Sequence, residues 1–415
     1  MKNYRDIALS QKAELEERLR RKYVERTSVA TPNLKSGMIQ VVMGPRRAGK
    51  STFAEHLLAN GSGYVNFDDE RLSGIDDLDA LLAAVDDIYR KPKCLLLDEI
   101  QNVPRWELWV NRLQRGGRRL VVTGSNANLL GHELATHLTG RHHAIYLLPF
   151  SFSEVIAMKG AAATSAEKAS LLERYLDEGG YPEPLLLDIS RTEYLRDLVR
   201  ATLLKDIVRR YKARSPGGIE DVAQYFFSNA AKEFSYRTLA VVARVKSPVT
   251  AEKYTRYLCE AFMLFTVPRF SFKARERATA NKKAYVVDPA LAARLGLRPE
   301  RDTGRLAENV VATRLWQQQL AGEIEFGFWK NDAHEEVDFV VRERGKISRL
   351  IQVCWRIDSP ATRSREYRAL VKAGNELRCN NLLCLTADEE GRDSFSWNGV
   401  SGNIRKQRIC DFLIG

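Results

Sequence analysis

Eight residues constrain this chain more than any others: Gly44-Pro45-Arg46-Arg47-Ala48-Gly49-Lys50-Ser51, which follow the pattern G-x-x-x-x-G-K-[ST]. Ile39 to Met43 ahead of them are an apolar run and read as a buried strand, while residues 50–60 behind them read as a helix. The loop therefore joins a strand to a helix N-terminus. Free backbone N–H groups and the positive end of the helix dipole meet there and attract anions. The glycines let the main chain wrap closely around a phosphate. Lys50 would reach the β- and γ-phosphates, the Ser51 hydroxyl would ligate Mg²⁺, and Thr52 continues the phosphate-binding stretch. A chain carrying this loop in this context is expected to bind a nucleotide, ATP or ADP, with Mg²⁺.

Cys94-Leu95-Leu96-Leu97-Asp98-Glu99 reads as a buried parallel strand that carries two acids at its C-terminal end. Asp98 is the expected Mg²⁺ holder, and Glu99 would polarise the water that attacks the γ-phosphate. That pairing points to hydrolysis. A third strand, Leu120 to Thr123, ends in Gly124-Ser125-Asn126, where Asn126 or Ser125 could sense the γ-phosphate. A further strand, Tyr64 to Phe67, runs into Asp68-Asp69-Glu70 between the loop and the acidic strand. This insertion fits P-loop ATPases with an additional strand. Arg141 precedes a strand over Ala144 to Leu148, where its guanidinium could reach a neighbouring subunit's γ-phosphate.

Taken in order, Gly44-Pro45-Arg46-Arg47 with Gly49-Lys50-Ser51, Leu96-Leu97-Asp98-Glu99-Ile100-Gln101, Thr123-Gly124-Ser125, Thr139-Gly140-Arg141 and Gly179-Gly180-Tyr181-Pro182-Glu183 resemble the prokaryotic AAA-type (AAA+) ATPases. These are typically fused to a C-terminal restriction-nuclease-like domain. The resemblance implies a helical lid over residues 151–215, with Gly179-Gly180 as its tight turn and Lys205-Asp206 on a lid helix. It also implies oligomers completed through Arg141, a hexameric ring being one form.

The 415 residues, 44% hydrophobic, are enough for two or three domains. No apolar run approaches the roughly 20 residues of a membrane span, so no membrane partner is expected. The start, Met1 to Asp6, has no signal-like apolar segment, and none of the six cysteines forms C-x-x-C; a cytoplasmic protein with reduced thiols is the expectation. Net charge is +12, and its placement is uneven. Arg191 to Lys283 hold 20 Lys/Arg against 9 Asp/Glu, an excess of 11 in about a fifth of the chain. Such clustering is the electrostatic footprint of a polyanion, here DNA.

The basic region is organised as three helices, over residues 219–231, 235–243 and 247–264, followed by two strands flanking a basic loop over residues 273–283. That pattern reads as a winged helix-turn-helix. Lys253 and Arg256 would face DNA from the third helix, and Arg275, Arg277, Lys282 and Lys283 would form the wing. Winged helices also dock proteins, so that alternative stays open.

Residues 301–415 resemble the PD-(D/E)XK nuclease core. By that likeness Glu308 is the helix acid, Asp338 the central Mg²⁺ ligand and Gln352 the ligand on the next strand. The usual Glu-x-Lys of that strand is Gln352-Val353-Cys354 here, which removes both the second carboxylate and the ammonium that helps to activate water. The domain is therefore expected to bind DNA or mediate assembly, with cleavage as the less favoured alternative. At the other end, Lys2 to Arg26 reads as a charged helix with an apolar stripe too thin for the core. Glu14, Glu16 and Glu17 are spaced to pair with Arg18, Arg20 and Arg21. Tyr23 and Arg26 could contact adenine.

The fold expectation is thus α/β: a charged helix over residues 1–35, an additional-strand P-loop ATPase core with a parallel sheet over 36–150, a helical lid over 151–215, a winged helix over 216–300 and a nuclease-like α/β domain over 301–415. Three functions remain open at this point. They are an ATP-driven machine that remodels or translocates along DNA, a nucleotide-controlled signalling or defence switch that docks proteins, and an ATP-dependent metal nuclease.

Overall fold

The structure, a computed structural model, describes residues 3–29, 32–58, 61–125, 141–160, 164–213, 215–273, 275–276, 280–297 and 302–415. Asn126, Thr139, Gly140 and Arg277 lie outside the described residues. The chain divides into two compact units, one formed by Met1–Leu148 with Glu260–Phe262 and the other by Pro149–Cys259 with Met263–Gly415.

The first unit is built on five strands: β1 (Ile39–Met43), β2 (Gly63–Asn66), β3 (Cys94–Asp98), β4 (Arg119–Gly124) and β5 (His142–Tyr146). All pairings are parallel, in the order β2-β3-β4-β1-β5. The strand that follows the phosphate loop in sequence thus lies at an edge, and β4 is inserted between β1 and the acidic strand β3. β1 is buried along its whole length, as a central parallel strand covered on both faces must be. Helices α2 (Lys50–His56), α3 (Leu78–Ile88) and α4 (Trp106–Arg115) make the crossovers.

Helix α1 (Tyr4–Leu19) is shorter than its charge pattern suggests. The i,i+4 pairs Glu14–Arg18 and Glu17–Arg21 form as spaced. The thin apolar stripe nevertheless suffices: Ile7, Ala8, Gln11 and Leu15 are buried, and Leu15 joins the core with Val42, Phe53, Tyr64 and Leu96. Gln11 works as a polar peg. Its amide accepts from the Asn66 N–H and donates to the Asn66 carbonyl, pairing the otherwise open end of edge strand β2.

The second unit begins with helices α5 (Phe152–Met158), α6 (Ser165–Glu178), α7 (Pro182–Leu186) and α8 (Arg191–Ala201), the last running on through a π-helical stretch, Thr202–Arg209. Then come α9 (Pro216–Ser228), β6 (Lys232–Phe234), α10 (Tyr236–Val242), α11 (Pro248–Glu260), β7 (Leu264–Pro268) and β8 (Lys282–Val286). The expected two-stranded hairpin is a three-stranded antiparallel sheet, β6-β8-β7, because Lys232–Phe234 adds along β8. After α12 (Pro289–Leu295), α13 (Thr303–Leu320) leads into β9 (Glu325–Lys330), β10 (Glu336–Glu343) and β11 (Lys346–Val353). Helix α14 (Pro360–Leu377) then precedes β12 (Leu382–Thr386), β13 (Gly391–Trp397), β14 (Val400–Arg408) and α15 (Ile409–Ile414). The six strands β9 to β14 form one mixed sheet, order β13-β14-β12-β11-β10-β9. Its core packs Val337, Val340, Leu350, Tyr367, Leu370 and Ile404.

The Gly179-Gly180 pair is explained by close approach. A Cβ on Gly180 would sit 2.0 Å from the Phe150 carbonyl oxygen, and one on Gly179, at φ +71°, 1.9 Å from Asp288 Oδ1. The Gly180 N–H donates to Asp288 Oδ2 at 2.7 Å, while Asp288 Oδ1 accepts from the Ala290 N–H at 2.9 Å and caps α12. This carboxyl ties the Gly179-Gly180 turn to the cap of α12 at Asp288, 108 residues further on in the same unit. Burial pushes it up to about 6, against backbone donors that favour the charged form. A raised carboxyl binds its proton more tightly folded than unfolded, so its contribution is complete below about pH 4 and is lost as pH rises through about 6. The unfolding free energy of the wild type relative to Asp288→Asn should therefore fall by up to about 3 kcal/mol over that window. Denaturant titrations at pH 4, 5, 6 and 7 measure it; a flat difference would refute the role given to Asp288.

Candidate nucleotide site

The phosphate loop leaves β1 at Gly44, whose φ of 155° and lack of a side chain are both required: a Cβ there would lie 1.9 Å from the Leu147 carbonyl oxygen. Gly49, at φ 90°, opens α2. Lys50 is buried, with Nζ donating to the Pro45 carbonyl at 2.9 Å across the loop. Arg26, expected near adenine, is instead fixed beneath the loop, donating to the carbonyls of Ala48 at 3.0 Å and Leu148 at 2.6 Å. A buried guanidinium needs such acceptors, and two main-chain carbonyls supply them. Tyr23 stacks on His56 with ring centroids 3.9 Å apart.

Strand register brings the acids to the loop. β1 pairs with β4 as Val42 with Thr123 and Met43 with Gly124, and β4 pairs with β3 as Val122 with Leu97. Asp98 and Glu99 thus end one strand beyond the loop's neighbour. Asp98 is 3% exposed and accepts from Ser51 Oγ at 2.9 Å, from Tyr64 Oη at 3.3 Å and from Thr123 Oγ1. Thr123 Oγ1 in turn accepts from the Glu99 N–H at 2.9 Å. One hydroxyl therefore sets both acids. Gln101 donates to Glu99 Oε2, and Ser125 Oγ lies 3.5 Å from the same amide nitrogen. Burial raises both carboxyls; the Thr123 and Ser51 hydroxyls pull Asp98 back down, and Lys50 does so for Glu99. A hydroxyl oxygen and a carboxylate oxygen held together beside a phosphate loop suit a hard oxygen-seeking cation, so Ser51 and Asp98 could hold Mg²⁺.

Behind the acids runs a second layer. Arg18 on α1 donates to Glu55 Oε1 and to Tyr64 Oη, each at 2.9 Å, and Tyr64 then donates to Asp98. Burial, against the pull of Arg18, pushes the Glu55 carboxyl up to about 7. Asp69, by contrast, is taken up by Arg71 and Gln11 and held down at about 2 by the Arg71 hydrogen bond. Arg141 is exposed and precedes β5, where its carbonyl accepts from the Ile39 N–H. That is the N-terminal end of the sheet. Five residues of strand, roughly 16 Å at 3.3 Å each, separate it from the loop end. Arg141 cannot serve the site of its own chain.

In the second unit, Lys253 and Arg256 are exposed on α11, both near the Tyr257 ring. Arg275 is exposed too. Lys282 is half-buried at the start of β8, with Nζ 5.8 Å from the centre of the Tyr236 ring. Lys283 corrects the expectation of a wing contact. It is only 3% exposed, and its Nζ lies 2.8 Å from Glu308, 2.5 Å from Glu336 and 3.2 Å from Asp338. Strand alternation is the reason: in a strand, neighbours point to opposite faces, and Lys283 takes the inward one. Glu308 and Asp338 thus converge as expected, joined by Glu336. Gln352 does not offer a free ligand. Its Oε1 accepts from the Asp338 N–H at 3.4 Å and its Nε2 donates to Glu366 at 2.8 Å.

The chain is 31% identical over 375 residues to the uncharacterized protein MJ1544 of Methanocaldococcus jannaschii, an alignment spanning 85% of this chain and 83% of that protein. It belongs to that protein's family. Residues 36–156 match the AAA domain, so this segment is an AAA-type P-loop ATPase domain. Residues 169–301 and 303–398 match two domains of unknown function, DUF8612 and DUF4143. An uncharacterized protein of Haemophilus influenzae is 28% identical over 338 residues, 77% of this chain and 83% of that protein. The replication initiator DnaA bound to AMPPCP and single-stranded DNA aligns at a TM-score of 0.28 with 12% identity, over 55% of this chain and 83% of that one; nothing functional follows from so partial an overlap.

Three residues of the AAA domain stand in the sequence motifs without an assigned role there: Tyr64, Gln101 and Thr123. Only Thr123 carried a signal, as a polar residue ending an otherwise apolar strand beside an acidic one. Thr123→Val removes one hydroxyl at nearly constant shape. It should lower Mg²⁺-dependent ATP turnover about 10- to 100-fold, as loss of a residue orienting a metal ligand does. Binding of nucleotide without Mg²⁺ should be unchanged. Steady-state ATPase assays across Mg²⁺ concentrations, with circular dichroism as the fold control, would expose a merely structural Thr123 by an unaltered rate.

Proposed function

We propose that this AAA-type protein hydrolyses ATP as an oligomer and couples hydrolysis to work on DNA held by its basic helical region. The observation that carries hydrolysis is the Ser51–Asp98–Thr123–Glu99 chain of hydrogen bonds at the loop end of the sheet. On this reading the loop amides and Lys50 bind the β- and γ-phosphates. Glu99 orients and deprotonates the attacking water, and its raised proton affinity suits it to that base role. Ser51 and Asp98 hold Mg²⁺, which when bound neutralises phosphate charge. Arg141 acts on a neighbouring copy, because it lies at the wrong end of the sheet for its own.

DNA engagement is supported by the order α9-β6-α10-α11-β7-β8, which is compatible with a winged helix-turn-helix, and by exposed Lys253, Arg256 and Arg275. The inward acids Glu308 and Asp338 support a nuclease-like ancestry for residues 301–415, used for binding or assembly. One observation favours the switch that docks proteins: Val241, Val242 and Val249 are 75%, 53% and 73% exposed around the α10–α11 turn.

ATP turnover with and without duplex and four-way-junction DNA separates the two. The DNA reading expects stimulation and a gel shift at low salt, both fading as salt rises. A flat rate, no shift and ADP retained through purification would instead establish the switch. In either case Lys50→Ala should abolish turnover, and Glu99→Gln should trap ATP.

Arg141 gives a sharper result. Lys50→Ala and Arg141→Ala should each be inactive alone, and a mixture should recover part of the wild-type rate, since an intact loop can then meet an intact arginine. Mixtures as inactive as the single variants would show that Arg141 plays no part across subunits.

A further inference from the structure

Lys283, Glu308, Glu336 and Asp338 form a closed cluster that the ATPase does not use. Glu308 comes from α13, and Glu336 and Asp338 from β10, where spacing of two puts both on one face. One oxygen of each points at Lys283 Nζ, at 2.8, 2.5 and 3.2 Å. Two of the remaining oxygens are directed elsewhere. Asp338 Oδ2 accepts from the Val353 N–H at 2.9 Å, and Glu336 Oε2 lies 3.7 Å from Lys330 Nζ. Tyr285, two residues along β8 from Lys283, donates to Glu308 Oε1 at 2.7 Å. Phe328 floors the cluster, with its ring centre 5.6 Å from Nζ.

Three carboxylates converging on one point are how proteins hold a hard divalent cation, and a restriction-nuclease-like domain would be expected to bind Mg²⁺ with such acids. The residues present do not fit that ion. The point where the carboxylates meet is filled by an ammonium on a stem fixed in β8. An ion with oxygen ligands at 2.0–2.1 Å cannot share it with a nitrogen already within 3.2 Å of all three. Gln352 is committed to Asp338 and Glu366, and Cys354, where an ammonium is usual, is buried with its thiol on the Arg356 carbonyl. Among the described residues no group of three or more His, Cys, Asp and Glu is arranged to hold a metal.

We propose that the Lys283 ammonium is a built-in cation replacing the divalent metal of this acid cluster. It pins sheet β6-β8-β7 to α13 and β10 without metal, and removing it opens a divalent-cation site. Three carboxylate oxygens within 3.2 Å of Nζ surround the position that a metal would take. A lysine removed from the ring of acids at its base would leave their charge uncompensated in a nearly dry pocket, so a replacement cation should be taken up.

The test is Mn²⁺ binding to the full chain without nucleotide, read by the electron paramagnetic resonance of free Mn²⁺ and by the melting temperature with and without Mn²⁺. Lys283→Met keeps the stem and removes the charge. It should gain one site per chain, with Mn²⁺ held about tenfold or more tighter than by the wild type. The site should vanish in Lys283→Met/Asp338→Asn, and Mn²⁺ should raise the melting temperature of Lys283→Met alone. Should Lys283→Met unfold without cation, its recovery by Mn²⁺ supports the proposal equally. Lys283→Met/Glu336→Gln, with less charge to compensate, covers failure to recover. The idea is overturned if neither variant gains a Mn²⁺ site, or if the wild type binds Mn²⁺ in a manner that Asp338→Asn abolishes. ATP turnover is not a readout here, so the outcome is independent of the proposed ATPase.

Discussion

The hydroxyl of Thr123 carries the geometry of the nucleotide site. It donates to Asp98 and accepts from the Glu99 amide, so two neighbouring acids are set by one atom on the adjacent strand. That is possible only because β4 lies between β1 and β3. In sequence order the acidic strand comes before β4, and direct pairing of β1 with β3 would push Ser51 and Asp98 together with no hydroxyl between the strands to orient Glu99. The inserted strand thus does more than widen the sheet. It supplies the polar residue that sets one carboxyl against the Ser51 hydroxyl and holds the backbone of the other.

Around this point the unit uses buried polar contacts where apolar packing would give too little direction. Arg26 ties the phosphate loop to the chain that follows β5 through two carbonyls. Arg18 on α1 reaches Asp98 through Tyr64 in two hydrogen bonds, with Glu55 bound to Arg18 beside them. Each link leaves a costly unpaired group if one member is removed, so the network is rigid for the same reason that it is fragile. The N-terminal helix, thin in apolar residues, is held by these bonds and by the Gln11 peg as much as by Leu15.

Much of this was legible in the chain. The phosphate loop, the acidic strand and the strand insertion are local patterns with fixed spacing, and the structure places them as expected. The Gly179-Gly180 turn was visible as a motif, but its cause, Asp288, lies too far along the chain for any local rule to connect. Helix α1 stops at Leu19 although charge pairing favours helix beyond it, and Arg26, seven residues on, is held under the phosphate loop by the carbonyls of Ala48 and Leu148. The largest miss was Lys283. Composition assigns every lysine in a basic stretch to the surface, and nothing in residues 273–283 marks one of them as inward. The acids that claim it lie 25 to 55 residues downstream.

That miss changes how the basic region should be weighed. An excess of charge counted along a sequence measures attraction to a polyanion only where the charges face water. Lys283 turns its charge inward onto three carboxylates, and exposed Lys273 is paired to Glu276 at 2.7 Å. The other described lysines and arginines of that stretch are exposed or half-buried, among them Arg237, Arg244, Lys246, Lys253 and Arg256 on and between α10 and α11, beside the exposed Val241, Val242 and Val249. The slope of duplex affinity against salt follows the number of phosphates neutralised. It therefore distinguishes a groove-reading helix from a basic cloud: a handful of contacts around α11 gives a small value, and the whole outward set would give a large one.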